Sequence, residues 1–171
     1  VIDNPLIPQV PTEKQTPFLL YTGREGFYGG SAGGAKTSAL LMAALQFAHV
    51  PNYAAILFRR TFTDLSLPDA LIPRSHEWLG GKARWKDISK TWHLPSGATL
   101  SFGYLEHEND KYRYQGAAFD FCGFDELTQF SESQYRYLFS RLRRPAESTV
   151  PSRMRATSNP GGVGHDWVKQ R

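Results

Sequence analysis

The sequence predicts an α/β domain built around a mainly parallel sheet. Three observations carry that reading. Short runs that suit strands recur at 54–59, 119–124 and 153–158, the first two of them apolar, with segments of helical composition between them. A glycine-rich turn joins a short strand near Tyr28 to a helix-forming run after Lys36. One of the apolar runs ends on two consecutive acids, Asp125-Glu126.

Each element has its own signal. Residues 1–16 are rich in proline and polar side chains and read as an extended lead-in. Gly26-Phe27-Tyr28-Gly29 reads as a short strand ending in a glycine turn. Residues 36–48 read as a helix, because Ala, Leu and Met dominate and Pro51 lies just beyond. Residues 54–59 are a buried strand, and Thr63 or Ser66 is a candidate start for a short helix before Pro73. Residues 82–105 read as meandering strands turned by Pro95-Ser96-Gly97, with the aromatics of Trp78 to Trp92 packing in the core or the hairpin. The run 119–124 is another strand, in which Asp120 faces an edge or is hydrogen-bonded. Ser131 opens a helix through about Leu142, with Glu132 adding acid to its first turn. Residues 153–158 form a strand, Pro160-Gly161-Gly162 breaks it, and a further helix begins near Gly164.

Composition limits the possible functions. The chain has 171 residues, 40% hydrophobic and 21% charged, which suits one domain with a substantial core. No apolar run approaches the ~18 residues of a membrane span. The N-terminus has neither a basic stretch nor an apolar one, so no secretory signal is expected, and the missing initiator Met reads as a processed or trimmed start. The net charge of +4 permits contact with a polyanion without establishing it. The lone Cys122 cannot form an internal disulfide; it lies in an apolar run and reads as a buried thiol, compatible with a reducing compartment.

The chemistry concentrates in three places. In Gly30-Ser31-Ala32-Gly33-Gly34-Ala35-Lys36-Thr37, a glycine is followed after four residues by Ala-Lys-Thr. This is the phosphate-binding loop pattern with Ala35 in place of its second glycine. Alanine serves there if the position needs no positive φ. Successive backbone N–H groups and the helix N-terminus would hold the phosphates of a nucleotide. Lys36 would reach the β- and γ-phosphates and the Thr37 hydroxyl would bind Mg²⁺, with Gly30 through Ser38 as the candidate nucleotide-binding residues. The competing reading is a plain glycine-rich turn. Second, Asp125 at a strand tip would hold the Mg²⁺ shell and Glu126 would polarise the attacking water, which is the Walker B arrangement. Alone, such a pair is also compatible with a solvated strand end. Third, Asn159 follows the strand 153–158 and is placed to touch a terminal phosphate or the attacking water, although its spacing alone favours a plain Asn-Pro-Gly turn.

These segments together resemble the ATPase domain of the large subunit of a tailed-bacteriophage or prophage terminase, the motor that packages DNA. The resemblance rests on Tyr28 through Thr37, Leu57-Phe58-Arg59-Arg60-Thr61, Tyr114-Gln115-Gly116, Gly123 through Phe130, Ser140-Arg141-Leu142-Arg143 and Ala156 through Gly162. It spans residues 12 to 171 in the family's order. It implies an additional-strand (ASCE, RecA-like) P-loop fold and an ATPase that uses ATP and Mg²⁺. Glu126 and Lys36 would be catalytic, Thr157-Ser158-Asn159 a coupling motif, and Gln15 the residue that reads adenine; Gln15 is otherwise an ordinary surface glutamine. The trans-acting arginine finger is in doubt. The family's position is Gln115 here, the nearest arginine is Arg113, and Arg59, Arg60 and Arg141 are alternatives.

The resemblance further implies double-stranded DNA, a portal protein and a terminase small subunit as partners. It implies a ring of copies on the procapsid, an isolated monomer, no membrane contact and the host cytoplasm as location. Residues 1–171 read as an N-terminal ATPase domain cut short at its C-terminal end, with the family's nuclease domain absent and no nuclease activity expected. Two other functions remain open at this stage: a nucleotide-binding module with little turnover, and a P-loop small-molecule kinase.

Overall fold

In a computed structural model, which describes residues 4–30 and 35–171, seven strands form one sheet. They are β1 (Glu25–Gly29), β2 (Ala54–Arg59), β3 (Arg84–Lys86), β4 (Thr91–His93), β5 (Thr99–Tyr104), β6 (Phe121–Phe124) and β7 (Arg153–Ser158). Their spatial order is β1-β7-β6-β2-β5-β4-β3. The first five in that order pair in parallel, and β4 and β3 close one edge as an antiparallel hairpin extension. The described helices are α1 (Gln15–Leu20), α2 (Ala35–Leu45), α3 (Phe62–Ser66), α4 (Leu71–Leu79), α5 (Glu132–Phe139) and α6 (His165–Gln170). Parallel neighbours need long crossovers; α2 lies in the connection from β1 to β2, α3 and α4 in that from β2 toward β5, and α5 in that from β6 to β7. The mainly parallel α/β fold read from the sequence is therefore present. β7 lies between β1, which leads into the glycine-rich segment, and the acidic strand β6, which is the additional-strand arrangement.

Alternation along the central strands builds two cores. In β2, Ala55 and Leu57 pack with α2, while Ile56 and Phe58 pack with α5 on the opposite face. α2 has no polar face: Lys36 and every residue from Ser38 to Leu45 are buried, as expected of a helix enclosed by other elements. Side chains of the sheet and of α2 crowd Gly123. A Cβ there would lie 2.5 Å from Leu57 Cδ2 and 3.1 Å from Leu40 Cδ1. Cys122, on the other face of β6, is fully buried, and burial pushes its thiol pKa well up.

Several boundaries differ from the sequence reading for physical reasons. The lead-in is not extended to its end, because α1 begins at Gln15 and buries Phe18 against α2. α2 stops at Leu45, with single turns continuing to Tyr53. The cap of α3 is Thr61, whose hydroxyl accepts from Asp64 N; neither Thr63 nor Ser66 starts a helix. Pro73 sits in the first turn of α4, where its missing N–H costs nothing. Ser131 does cap α5, in a reciprocal box with Gln134, but the helix ends at Phe139. The chain then turns so that Leu142 bridges to Phe119. Trp85 and Trp92 pair across the β3–β4 hairpin with ring centroids 5.1 Å apart, and His76 packs on both. No helix among the described residues is long and apolar enough to cross a membrane.

Candidate functional site

The parallel strands β1, β7, β6 and β2 are adjacent, so the residues just past their C-terminal ends gather on one rim of the sheet. Ligands of open α/β sheets bind at this rim. From β1 come Gly29 and Gly30; Ser31, Ala32, Gly33 and Gly34 lie outside the described residues. Ala35 opens α2 in helical conformation and is not among the residues with positive φ, so alanine is tolerated where the usual motif has glycine.

The side chains of this rim meet one another. Lys36, 4% exposed, donates from Nζ to the Gly30 carbonyl at 2.8 Å and to Asn159 Oδ1. Asn159 in turn donates from Nδ2 to Glu126 Oε1 at 3.0 Å. Its one amide thus bridges the cation of the phosphate loop and the second acid. Asp125 accepts from the Thr37 hydroxyl at 3.2 Å through Oδ2 and from the Thr157 hydroxyl at 2.6 Å through Oδ1. Its backbone N–H is held by the Phe58 carbonyl at 2.9 Å, which fixes the strand tip relative to β2. Glu126 has left-handed backbone angles, φ 58° and ψ 59°. For a glutamate this conformation costs about 1–2 kcal/mol, and such strain gathers at functional positions.

The other sequence candidates occupy definite places. Gln15 is buried at 3% exposure; its amide donates to the Ala35 carbonyl at 2.7 Å and accepts from Thr12 N at 2.9 Å. It therefore abuts the first residue of α2. The Ser38 hydroxyl is bonded by Arg74 of α4. Arg113 is not brought to the rim contacts: it pairs with Asp110 at 3.0 Å and lies over the Tyr104 ring at 4.7 Å. Arg59 does reach them, with Nη1 3.5 Å from Asp125 Oδ2 and 3.9 Å from Glu126 Oε1. Arg60 bonds the Gln129 carbonyl, and Arg141 lies over the Tyr137 ring. Two contacts escaped the sequence reading as roles. Thr157 orients the first acid, and Arg74 touches the head of α2. Alternation along 153–158 places Thr157 on the α2 side; no local signal marks Arg74.

The donor chemistry fits a nucleotide-borne metal. Thr37 and Asp125 offer a hydroxyl and a carboxylate oxygen side by side, which suits Mg²⁺ completed by water and phosphate oxygens. Among the described residues no group of three or more His, Cys, Asp or Glu side chains is placed to hold a metal by itself.

Comparison with known proteins follows the same lines. A family model described as "Terminase large subunit, T4likevirus-type, N-terminal" matches residues 27–170. No curated protein sequence matches the chain. Solved structures that share the fold include the large terminase of a thermophilic bacteriophage, at TM-score 0.69 and 15% identity, covering 95% of this chain and 42% of that one. The bacteriophage HK97 large terminase matches at TM-score 0.66 and 11% identity, covering 95% and 37%. A Thermus phage large terminase ATPase domain matches at TM-score 0.60 and 14% identity, covering 92% and 68%. The thermophilic phage protein has also been solved in complex with ADP; that structure matches at TM-score 0.62 and 15% identity, covering 86% and 38%. The chain spans about two fifths of the length of the first of these large terminases.

Proposed function

The chain belongs to the terminase large subunit family, and on that premise we propose that it hydrolyses ATP with Mg²⁺ and that the hydrolysis drives packaging of double-stranded viral DNA into a procapsid. The observation that carries this reading is the chain of contacts Lys36–Asn159–Glu126, with Asp125 beside it held by Thr37 and Thr157. It joins a phosphate-loop cation, a side chain fit to sense a terminal phosphate, and the acid that would orient water. Bound Mg²⁺ would supply charge neutralisation at the phosphate oxygens.

The chain's own residues do the rest. The amides of the loop 30–37 and the Lys36 ammonium would hold the phosphates, and Thr37 and Asp125 would hold the metal. Glu126 orients the attacking water and takes its proton while in contact with the Asn159 amide. Asn159, released or re-formed as the terminal phosphate comes and goes, passes that state to β7 and the turn that follows. Gln15, whose amide contacts Ala35, is the proposed reader of the adenine edge. Arg113, 45% exposed on its side chain, is the proposed finger toward a neighbouring copy in a ring. The proposed partners are double-stranded DNA, portal protein and small subunit, and the proposed location is the cytoplasm of the bacterial host. The aromatics of 78–92 are occupied by packing, which favours this reading over a kinase acceptor pocket.

Steady-state ATP turnover of the chain, with and without double-stranded DNA, tests the proposal. Glu126→Gln is expected to lower turnover on the order of 10³-fold while ADP still binds. Equal turnover in the two proteins would remove Glu126 from the chemistry.

A further inference from the structure

Arg59 is the last residue of β2, and the parallel register places Phe58 beside Phe124, so Arg59 emerges next to the acidic pair. One nitrogen, Nη1, lies 3.5 Å from Asp125 Oδ2 and 3.9 Å from Glu126 Oε1. These are the same two oxygens that accept from Thr37 and from Asn159. The guanidinium therefore faces the carboxylate oxygen that would hold a metal and the one that would orient water. Both separations are too long for hydrogen bonds; the contact is electrostatic and can be exchanged without dismantling a fixed geometry. The side chain is 18% exposed, so water screens the contact only partly. Its Nε is buried and has no hydrogen-bond partner among the described residues, a donor left uncommitted beside the site.

We propose that Arg59 is a positioning residue that stands in for the metal's charge. It holds Asp125 and Glu126 when no metal–nucleotide is present and yields Asp125 when one arrives. The inference rests on the nucleotide reading above. A divalent ion held by Asp125, directly or through one of its waters, would bring a second positive charge to the oxygen that Arg59 faces. A guanidinium cannot keep its present contact with the same oxygen against that charge. Its unpartnered Nε then gives it a donor to turn toward the phosphates. Metal binding must therefore compete with Arg59, and the acid pair is kept from repelling itself apart in the empty site.

The test is a binding measurement on the full chain. The affinity for a fluorescent ADP is measured with excess Mg²⁺ and with a chelator, and the ratio of the two is compared in wild type, Arg59→Met and Arg59→Lys. Loss of the competing cation is expected to raise the Mg²⁺-dependent gain about tenfold in Arg59→Met, with Arg59→Lys between. The metal-free melting temperature of Arg59→Met should fall, and Mg²⁺ with ADP should restore it. An unchanged or smaller ratio in a variant with a wild-type circular dichroism spectrum overturns the proposal. Asp125→Asn separates the two ideas: it should collapse the ratio toward one. If it does not, the metal reading of the site fails, whatever Arg59 does.

Discussion

Asp120 and Asp125 bracket β6, both buried, at 1% and 4% exposure, and they keep different company. Asp120 stands at the N-terminal end of the strand. It accepts from Ala54 N at 2.9 Å and from Ser148 Oγ at 2.5 Å, and pairs with Arg143 at 3.6 Å. Those partners tie β6 to β2 and to the loop before β7, and they close the carboxylate off. Asp125 stands at the C-terminal end. Its partners are two hydroxyls, Thr37 and Thr157, and an arginine at ion-pair distance. Hydroxyls can turn, and the arginine is held only by charge, so this carboxylate can accept a new ligand. One strand thus carries a structural acid at one end and, in the proposed function, the metal-holding acid at the other, and the direction of the parallel strands decides which is which.

Substitutions can break that contrast, starting with the largest effect. Asp125→Asn is expected to cut ATP turnover on the order of 10³-fold, about 4 kcal/mol in the barrier, with little loss in stability against urea. Asp120→Ala should do the reverse. Leaving Arg143 and the Ala54 amide without their acceptor is expected to cost about 3 kcal/mol of unfolding free energy, while turnover per folded molecule stays near wild type. A turnover loss in Asp120→Ala comparable to that of Asp125→Asn would erase the distinction. Gly123→Ala, midway along the strand, should cost about 1–3 kcal/mol by overpacking against Leu57 and Leu40. Because Leu40 belongs to the helix of the phosphate loop, it should also weaken ADP binding modestly in a titration.

Much of this was legible in the sequence because it is local. The runs 54–59 and 153–158 coincide with β2 and β7: the first is a short apolar segment buried on both faces, and the second is bounded by the Pro160-Gly161-Gly162 break that follows it. Lys36, Thr37, Asp125, Glu126 and Asn159 each stand at a strand end or helix start that neighbouring residues mark. α1 was missed because its first turn contains Pro17 and follows a proline-rich stretch; its stability comes from Phe18 packing on a distant helix. The end of α5 was overrun because a bridge from Leu142 to Phe119 outweighs continued helix. The pairing of Arg59 with the acids depends on β2 and β6 being neighbours, with β5 on the other side of β2. Strand order is a property of the whole chain, and no local pattern states it.

The left-handed backbone at Glu126 has a consequence for anyone selecting variants of this chain for heat resistance. Of the four non-glycine residues with positive φ among those described, Asn52 and Asp69 are of types that tolerate it, whereas Lys90 and Glu126 are not. A screen that scores only survival at high temperature would favour glycine at position 126, which relieves the backbone at no cost in core packing. Its winners would be robust proteins without the carboxylate that the proposed hydrolysis relies on, so such a screen should be paired with a turnover assay from its first round.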